Sequence, residues 1–189
     1  GLGSDGRLGG RWVGRRLMRH CNAIVAGVFR EPTNPEQVFH KQLCFSEFYE
    51  DLRAELGTAT GTVQDIYTPA AEVIRRHAPP GLKRIAGWLT AFMQNLLCIA
   101  EDDPSFENAV TLGEPGLFGV VAPRVDHEYS SADYERRDYL VERARQVLKA
   151  AGAWTTRVYE IDNNQPMRDL AYYLSKYVTK ANGEYDLLG

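Results

Sequence analysis

The residue types best suited to metal binding and acid–base chemistry are sparse and widely separated in this sequence. It has four histidines and three cysteines, which are His20, His40, His77, His127, Cys21, Cys44 and Cys98. No two histidines are spaced as HxH or HxxxH and no two cysteines as CxxC, so the sequence predicts no metal site. No G-x-S-x-G turn marks a serine nucleophile, and each histidine is predicted to be structural. The cysteines are predicted to be buried reduced thiols, which favours a reducing, cytoplasmic location.

Residues 1–6 match the G-x-G-x-x-G pattern of dinucleotide-binding loops. The pattern binds a pyrophosphate where it joins a strand to a helix whose N-terminus faces the phosphates. Gly9 and Gly10 follow the pattern where that helix would begin, so we interpret residues 1–6 as a surface loop. The chain starts at Gly1 without an initiator methionine and ends abruptly at Gly189, so we expect it to be part of a longer protein.

A tyrosine and a lysine near the C-terminal end are spaced for nucleophilic chemistry on a phosphate. Tyr173 and Lys176 are three residues apart and would share one face of a helix. This Tyr-x-x-Lys signature resembles that of replication-initiator nickases, whose tyrosine attacks a DNA phosphate. Those enzymes also need a paired-histidine metal motif, which this sequence lacks. An amphipathic helix with a buried tyrosine is the preferred interpretation, and a DNA-nicking replication initiator using Tyr173 is an alternative.

The composition bounds the class of protein. The 189 residues are 44% hydrophobic, enough for a domain with a core. The net charge of -3 argues against a dedicated nucleic-acid binder, which usually has a clear basic excess. No apolar run approaches the roughly 20 residues of a membrane-spanning helix, so no membrane span is predicted. A non-catalytic α+β binding module stays an alternative, with nucleic acid contacted through Arg7, Arg11, Arg15, Arg16 and Arg19.

Hydrophobic periodicity and turn residues predict the elements that would position these side chains. Strands are predicted over 23–29, 38–45, 62–67, 96–100, 110–112, 117–121 and 158–161. Helices are predicted over 69–77, 82–93, 131–151 and 166–180, with a short helical turn within 12–18. A turn at 113–116 would join two of the strands. Strands connected by hairpin-like turns, together with several helices, indicate an α+β fold.

The clearest predicted element is the helix over 131–151. Ser130 and Asp133 have the spacing of a capping box at its N-terminus. Gly152 stands where a C-terminal cap residue belongs. One face of the helix is predicted to be buried, namely Leu140, Ala144, Val147, Leu148 and Ala151.

Residues 13–20 read VGRRLMRH, residues 101–112 read EDDPSFENAVTL, and the stretch 129–153 ends in LKAAGA. In this order they resemble the glucose–methanol–choline family of flavin-dependent oxidoreductases. Residues 13–20, VGRRLMRH, are similar to the family's V-G-R-N-L-x-x-H, with Arg16 where asparagine is usual. Residues 101–112 are similar to its E-D-x-P-x-x-x-N-x-V-x-L strand pair. Residues 129–153 are similar to the helix that ends in L-x-x-A-G-A, and residues 34–42 resemble bacterial members. The likeness covers about residues 9–153, and the last 35 or so match poorly.

The resemblance implies a division of the chain. Residues 1–20 would be an edge of the FAD-binding domain, and residues 21–153 the substrate-binding domain. Residues 154–189 would return toward the FAD domain or form a divergent tail. The implied substrate domain is an antiparallel sheet of about six strands flanked by helices. The parent protein would be an enzyme that oxidises CH–OH groups of a small alcohol or sugar by hydride transfer to FAD, whereas this chain alone is expected to be inactive and to bind no FAD.

The resemblance also implies site residues. Gly14, Arg16 and His20 belong to the stretch that would lie near the cofactor. Asp186 would stand where the family's catalytic histidine belongs. Aromatic residues of the substrate domain are predicted to pack in the core rather than face substrate: Phe45, Phe48, Tyr49 and Tyr67. The acidic run 101–103 is interpreted as a solvated loop without a metal.

Overall fold

The computed structural model describes residues 12–33, 35, 43–68, 71–77, 81, 83–115, 119 and 121–161. Its strands are β1 (Cys21–Val28), β2 (Cys44–Phe45), β3 (Gly61–Ile66), β4 (Met93–Ala100), β5 (Ala109–Pro115), β6 (Val121–Asp126) and β7 (Thr155–Glu160). Its helices are α1 (Arg53–Leu56), α2 (Ala71–His77), α3 (Lys83–Leu89) and α4 (Ser131–Ala150), and a 3-10 turn over Thr90–Phe92 leads into β4.

Five of the strands form one sheet in the order β2-β3-β4-β1-β7, in which every neighbouring pair is antiparallel. The central pair is β1 with β4, where Cys21 lies opposite Ala100 and Val25 opposite Leu96. Apolar residues two positions apart along these strands point to the same face, which gives the sheet one continuous apolar surface. Strands β5 and β6 form a separate two-stranded ribbon.

Helix α4 covers that apolar face. Leu140, Ala144 and Leu148, spaced four residues apart, are almost fully buried against the sheet. Gly27 of β1 lies directly below the helix, because a Cβ atom built there would stand 3.0 Å from Leu148 Cδ2. The close approach of helix and strand therefore favours glycine at this position.

The predicted features of α4 are confirmed, with one exception. Ser130 Oγ accepts a hydrogen bond from the Asp133 N–H, and Asp133 Oδ2 accepts one from the Ser130 N–H. This is the reciprocal capping box. Gly152 adopts a left-handed φ of 98° just beyond the helix. The prediction that Ala151 lies on the buried face is wrong, since it is exposed after the last turn.

The α+β prediction is confirmed, and several boundaries are corrected. The predicted helix over 82–93 ends earlier, because Met93 pairs with Val28 as the first residue of β4. The predicted turn at 113–116 is wrong for residues 113–115, which belong to β5 beside an irregularity in its pairing with β6. The short helical turn predicted within 12–18 is limited to its start, where the Arg15 N–H donates to Trp12 O at 3.0 Å, and the left-handed backbones of Gly14 and Arg16 stop it from continuing. Of the predicted strand 38–45 the structure describes only the end, and the predicted helix 166–180 lies outside the described residues.

Candidate functional site

The segment before β1 is bound to the start of the β5–β6 ribbon. The Val110 N–H donates to Gly14 O at 2.7 Å, and the Leu17 N–H donates to Asn108 O at 2.9 Å. Gly14 has a φ of 74°, and a Cβ atom there would stand 2.3 Å from Val110 O. Only glycine fits such an approach of two backbones. The glycine is thus explained by contact with β5.

Asp102 lies at the centre of this contact. Its Oδ2 accepts a hydrogen bond from the Arg19 N–H at 2.6 Å and lies 3.4 Å from His127 Nε2. The side chains of Asp102 and His127 are 3% and 1% exposed. Burial raises the pKa of Asp102, while the hydrogen bonds from the Arg19 N–H and from His127 act in the opposite direction. Among the described residues, His127 Nδ1 is buried and has no hydrogen-bond partner.

Asn108 bridges the open end of the ribbon, where β5 begins and β6 ends. Its Nδ2 donates to Glu128 O at 3.1 Å, and its Oδ1 accepts from the Glu128 N–H at 2.9 Å. The amide side chain therefore replaces a strand partner for the segment that leads into α4. Tyr129 follows directly, and its hydroxyl donates to His20 O at 2.8 Å.

These contacts form one polar junction, which we define as Arg19, Asp102, Asn108, His127 and Tyr129. All of its members lie in or beside the stretches that carry the family resemblance. The prediction of a solvated acidic loop is wrong for Asp102, which is 5% exposed as a whole residue. A buried carboxylate needs hydrogen-bond donors, and here they come from the Arg19 backbone and His127.

A second buried cluster adjoins the junction through Asp103. Arg136 is completely buried and contacts Asp133 Oδ1 and Asp103 Oδ2, each at 3.0 Å. It also donates to Leu56 O at 3.1 Å, at the end of α1. The Asp103 N–H in turn donates to Asp133 Oδ1 at 2.9 Å. Helix α4 is thereby tied to the end of β4 and to α1.

The structure separates the predicted cofactor residues. Gly14 packs on β5, whereas the Arg16 guanidinium stacks over the Trp12 ring at 4.5 Å. His20 is about half exposed, and its Nδ1 lies 3.8 Å from Glu101 Oε2. Tyr173 and Asp186, the two residues proposed for reaction chemistry, lie outside the described residues.

The described residues do not by themselves fit FAD. The β5 backbone fills the space beside Gly14 that a phosphate would need, and the Arg16 side chain is stacked on an aromatic ring. The buried His127–Asp102 pair is closed to substrate, so its chemistry is that of a structural ion pair or hydrogen bond. No reaction step follows from these side chains alone.

Other predicted groups differ in burial. Cys21 and Cys98 are buried, and desolvation raises the pKa of each thiol to about 12. The prediction that all cysteines are buried is wrong for Cys44, which is exposed because it lies on the edge strand β2. Phe45 and Phe48 pack against the core as predicted.

Neither a metal-ligand cluster nor a helix able to span a membrane is present within the described ranges. Within them, no three histidine, cysteine or acidic side chains come together as possible metal ligands. None of the helices in that part of the chain has the length and hydropathy needed to cross a bilayer.

The fold and junction define the chain as an α+β protein with a helix-covered antiparallel sheet. No protein-family model matches the chain, and no curated protein sequence matches it either.

The polar junction was not predicted from the sequence. The separate parts were visible, because Asp102 and Asn108 belong to the motif that resembles the family's strand pair. Their partners were not, since Arg19 is 83 positions from Asp102 and His127 is 25 positions away. Only a folded backbone brings such distant groups together.

Proposed function

We propose that the chain is the substrate-side part of an FAD-dependent oxidoreductase that acts on CH–OH groups of an alcohol or sugar. The observation that supports the proposal best is the convergence of the three resembling stretches. Hydrogen bonds connect the first stretch to the second at Arg19–Asp102 and Leu17–Asn108, and to the third at His20–Tyr129. If the three stretches hold one another in place in the folded protein, their occurrence together in one chain has a structural reason.

A second observation concerns position 16, where the first resembling stretch departs from the family's pattern. Arg16 has a left-handed φ of 57°. Asparagine is several-fold enriched in that conformation, whereas arginine adopts it rarely. The family's usual asparagine therefore suits the local backbone better than the residue found here.

The face of the sheet opposite to α4 is the proposed substrate wall. Its accessible side chains include Ile24 and Tyr159, which lie opposite each other, whereas Leu97, between Gln64 and Ile24, is only 2% exposed. The neighbouring Asn22 adds a buried Oδ1 that has no hydrogen-bond partner within the described ranges. Apolar surface with a few polar groups is typical of small-molecule sites.

In the proposed reaction the flavin supplies the hydride acceptor, and the chain's own residues orient the substrate and exclude water. No described residue is proposed to act as the acid or base of the reaction. Asp186 as the counterpart of a catalytic histidine stays a prediction, and so does DNA nicking by Tyr173, which would show as strand cleavage lost in Tyr173→Phe.

Flavin content tests the proposal. The protein translated from the whole coding frame that contains this sequence should be purified alongside the 189-residue chain. We expect the longer protein to carry stoichiometric FAD and the chain alone to stay colourless after incubation with FAD. A longer protein without flavin would refute the assignment, and a yellow isolated chain would refute the division of roles.

A further inference from the structure

Helices α2 and α3 pack against each other and, with the turn that follows, form a basic surface. We call residues 71–77 and 83–92 the helical pair. Between positions 71 and 92 the sequence has four cations, Arg75, Arg76, Lys83 and Arg84, and one carboxylate, Glu72. All four cationic residues are exposed. This segment therefore has a local charge of +3 in a chain whose net charge is -3.

Large apolar side chains stand beside these cations. Ile85 is 55% exposed and Trp88 is 60% exposed. They are three residues apart on α3 and share a helix face, which Arg84 also borders at four residues from Trp88. The centroids of the Trp88 and Phe92 rings are 4.3 Å apart, so the indole packs against Phe92.

We propose that the helical pair is a peripheral docking surface for an anionic lipid bilayer. Cations next to exposed apolar side chains are the arrangement that interfacial helices use, with the cations on headgroups and the apolar side chains at the acyl boundary. Tryptophan suits that boundary because its ring is apolar and its N–H is polar.

Charge complementarity favours a polyanion, and the exposed apolar side chains favour an anionic lipid over nucleic acid. A nucleic-acid site would use the cations, but it would leave the aliphatic Ile85 in water beside the phosphates. A bilayer interface takes up Ile85 and Trp88 together and contacts Arg84, which borders them on α3, while the other three cations add to the local positive charge. The surface needs no spanning helix and is independent of the flavin proposal.

Vesicle co-sedimentation of the full 189-residue chain tests the proposal. We expect binding to phosphatidylcholine vesicles that contain phosphatidylserine, weak binding to pure phosphatidylcholine, and loss of binding at high salt. In a Trp12→Phe/Trp154→Phe background, the remaining Trp88 fluorescence should be quenched by brominated lipid. Absence of binding to the anionic vesicles, or Trp88 that brominated lipid does not quench, would overturn the proposal.

Matched variants separate this surface from general electrostatics. Arg75→Ala/Arg76→Ala should weaken the partition coefficient by about thirtyfold, since each cation contributes roughly fivefold. Trp88→Ala should weaken it by about tenfold. The controls are Arg124→Ala/Arg157→Ala and Trp154→Ala, which change exposed residues elsewhere and should have little effect.

Equal losses in the controls would contradict the assignment of the surface. Binding to a DNA duplex that the Arg75/Arg76 variant loses, without binding to anionic vesicles, would reassign it to nucleic acid and overturn the proposal. Circular dichroism of each variant shows whether the fold is retained, and the salt dependence of the wild-type chain tests the proposal without any substitution.

Discussion

Arg136 and Asp133 form an ion pair within α4, with Nη1 and Oδ1 3.0 Å apart and both side chains at most 2% exposed. The same guanidinium contacts Asp103 and the carbonyl of Leu56, so the pair belongs to a network that connects three parts of the chain. Removing one partner of a buried pair leaves the other as an unpaired buried charge.

Arg136→Ala is therefore expected to lower the free energy of unfolding by about 3–5 kcal/mol, as measured by urea denaturation. Arg75→Ala is the matched control, because Arg75 and Glu72 form an exposed pair at the same i,i+3 spacing. Its effect should stay below about 1 kcal/mol. Similar losses in the two variants would show that the buried network does not stabilise α4.

Asp102 should make stability depend on pH in a defined direction. Because burial raises its pKa above the ordinary value of an aspartate, its contribution is fully present at low pH and is lost as pH rises through the raised pKa. Asp102→Asn keeps an acceptor for the Arg19 N–H but does not titrate. The wild-type chain should therefore gain stability relative to Asp102→Asn as pH falls through the raised pKa of Asp102. The comparison should be repeated in a His127→Gln background, which removes the neighbouring imidazole. A stability difference between the two chains that does not vary with pH in that background would contradict the prediction.

Arg16→Asn should relieve the conformational strain of the left-handed backbone at position 16. Arg15→Asn is the control, since each arginine lies over an aromatic ring, Arg15 over Phe106 and Arg16 over Trp12. Both variants lose a cation–π contact, but Arg16 alone of the two has a positive φ. We expect Arg16→Asn to be more stable than Arg15→Asn by about 1 kcal/mol in thermal or urea unfolding. Equal stabilities would indicate that position 16 carries no strain.

The three thiols should differ in reactivity. A pKa of about 12 for Cys21 and Cys98, raised from 9.0, lowers their thiolate populations at neutral pH. The decrease is about a thousandfold by the definition of pKa. Alkylation of the folded chain should modify one thiol quickly, and Cys44→Ser should remove that fast phase. Three thiols reacting at one rate before unfolding would contradict the burial.

Local signals predicted the parts of the fold that depend on neighbouring residues. The cap of α4 was predictable because Ser130 and Asp133 are three positions apart, and its buried face because Leu140, Ala144 and Leu148 recur with the helical period. The start of β4 at Met93 was not predictable, because it depends on pairing with Val28 at the far end of β1. The same holds for the junction, whose hydrogen bonds join residues from three separate stretches.

The candidate site was predictable only in part. The resemblance predicted Gly14 near a cofactor, whereas the structure places it against the carbonyl of Val110. Asp102 was visible in the sequence as one of three adjacent acidic residues, and composition could not tell it from its neighbours. Burial distinguished it, and burial depends on the packing of the whole junction.

Anaerobic flavin reduction is the most direct test of the proposed oxidoreductase. The protein from the whole coding frame should be mixed with a panel of alcohols and sugars while the visible flavin absorbance is followed. We expect at least one CH–OH substrate to bleach the flavin, and deuterium on its carbinol carbon to slow the bleaching. Flavin that none of the panel reduces, or a reduction rate that carbinol deuteration leaves unchanged, would contradict hydride transfer from a CH–OH group.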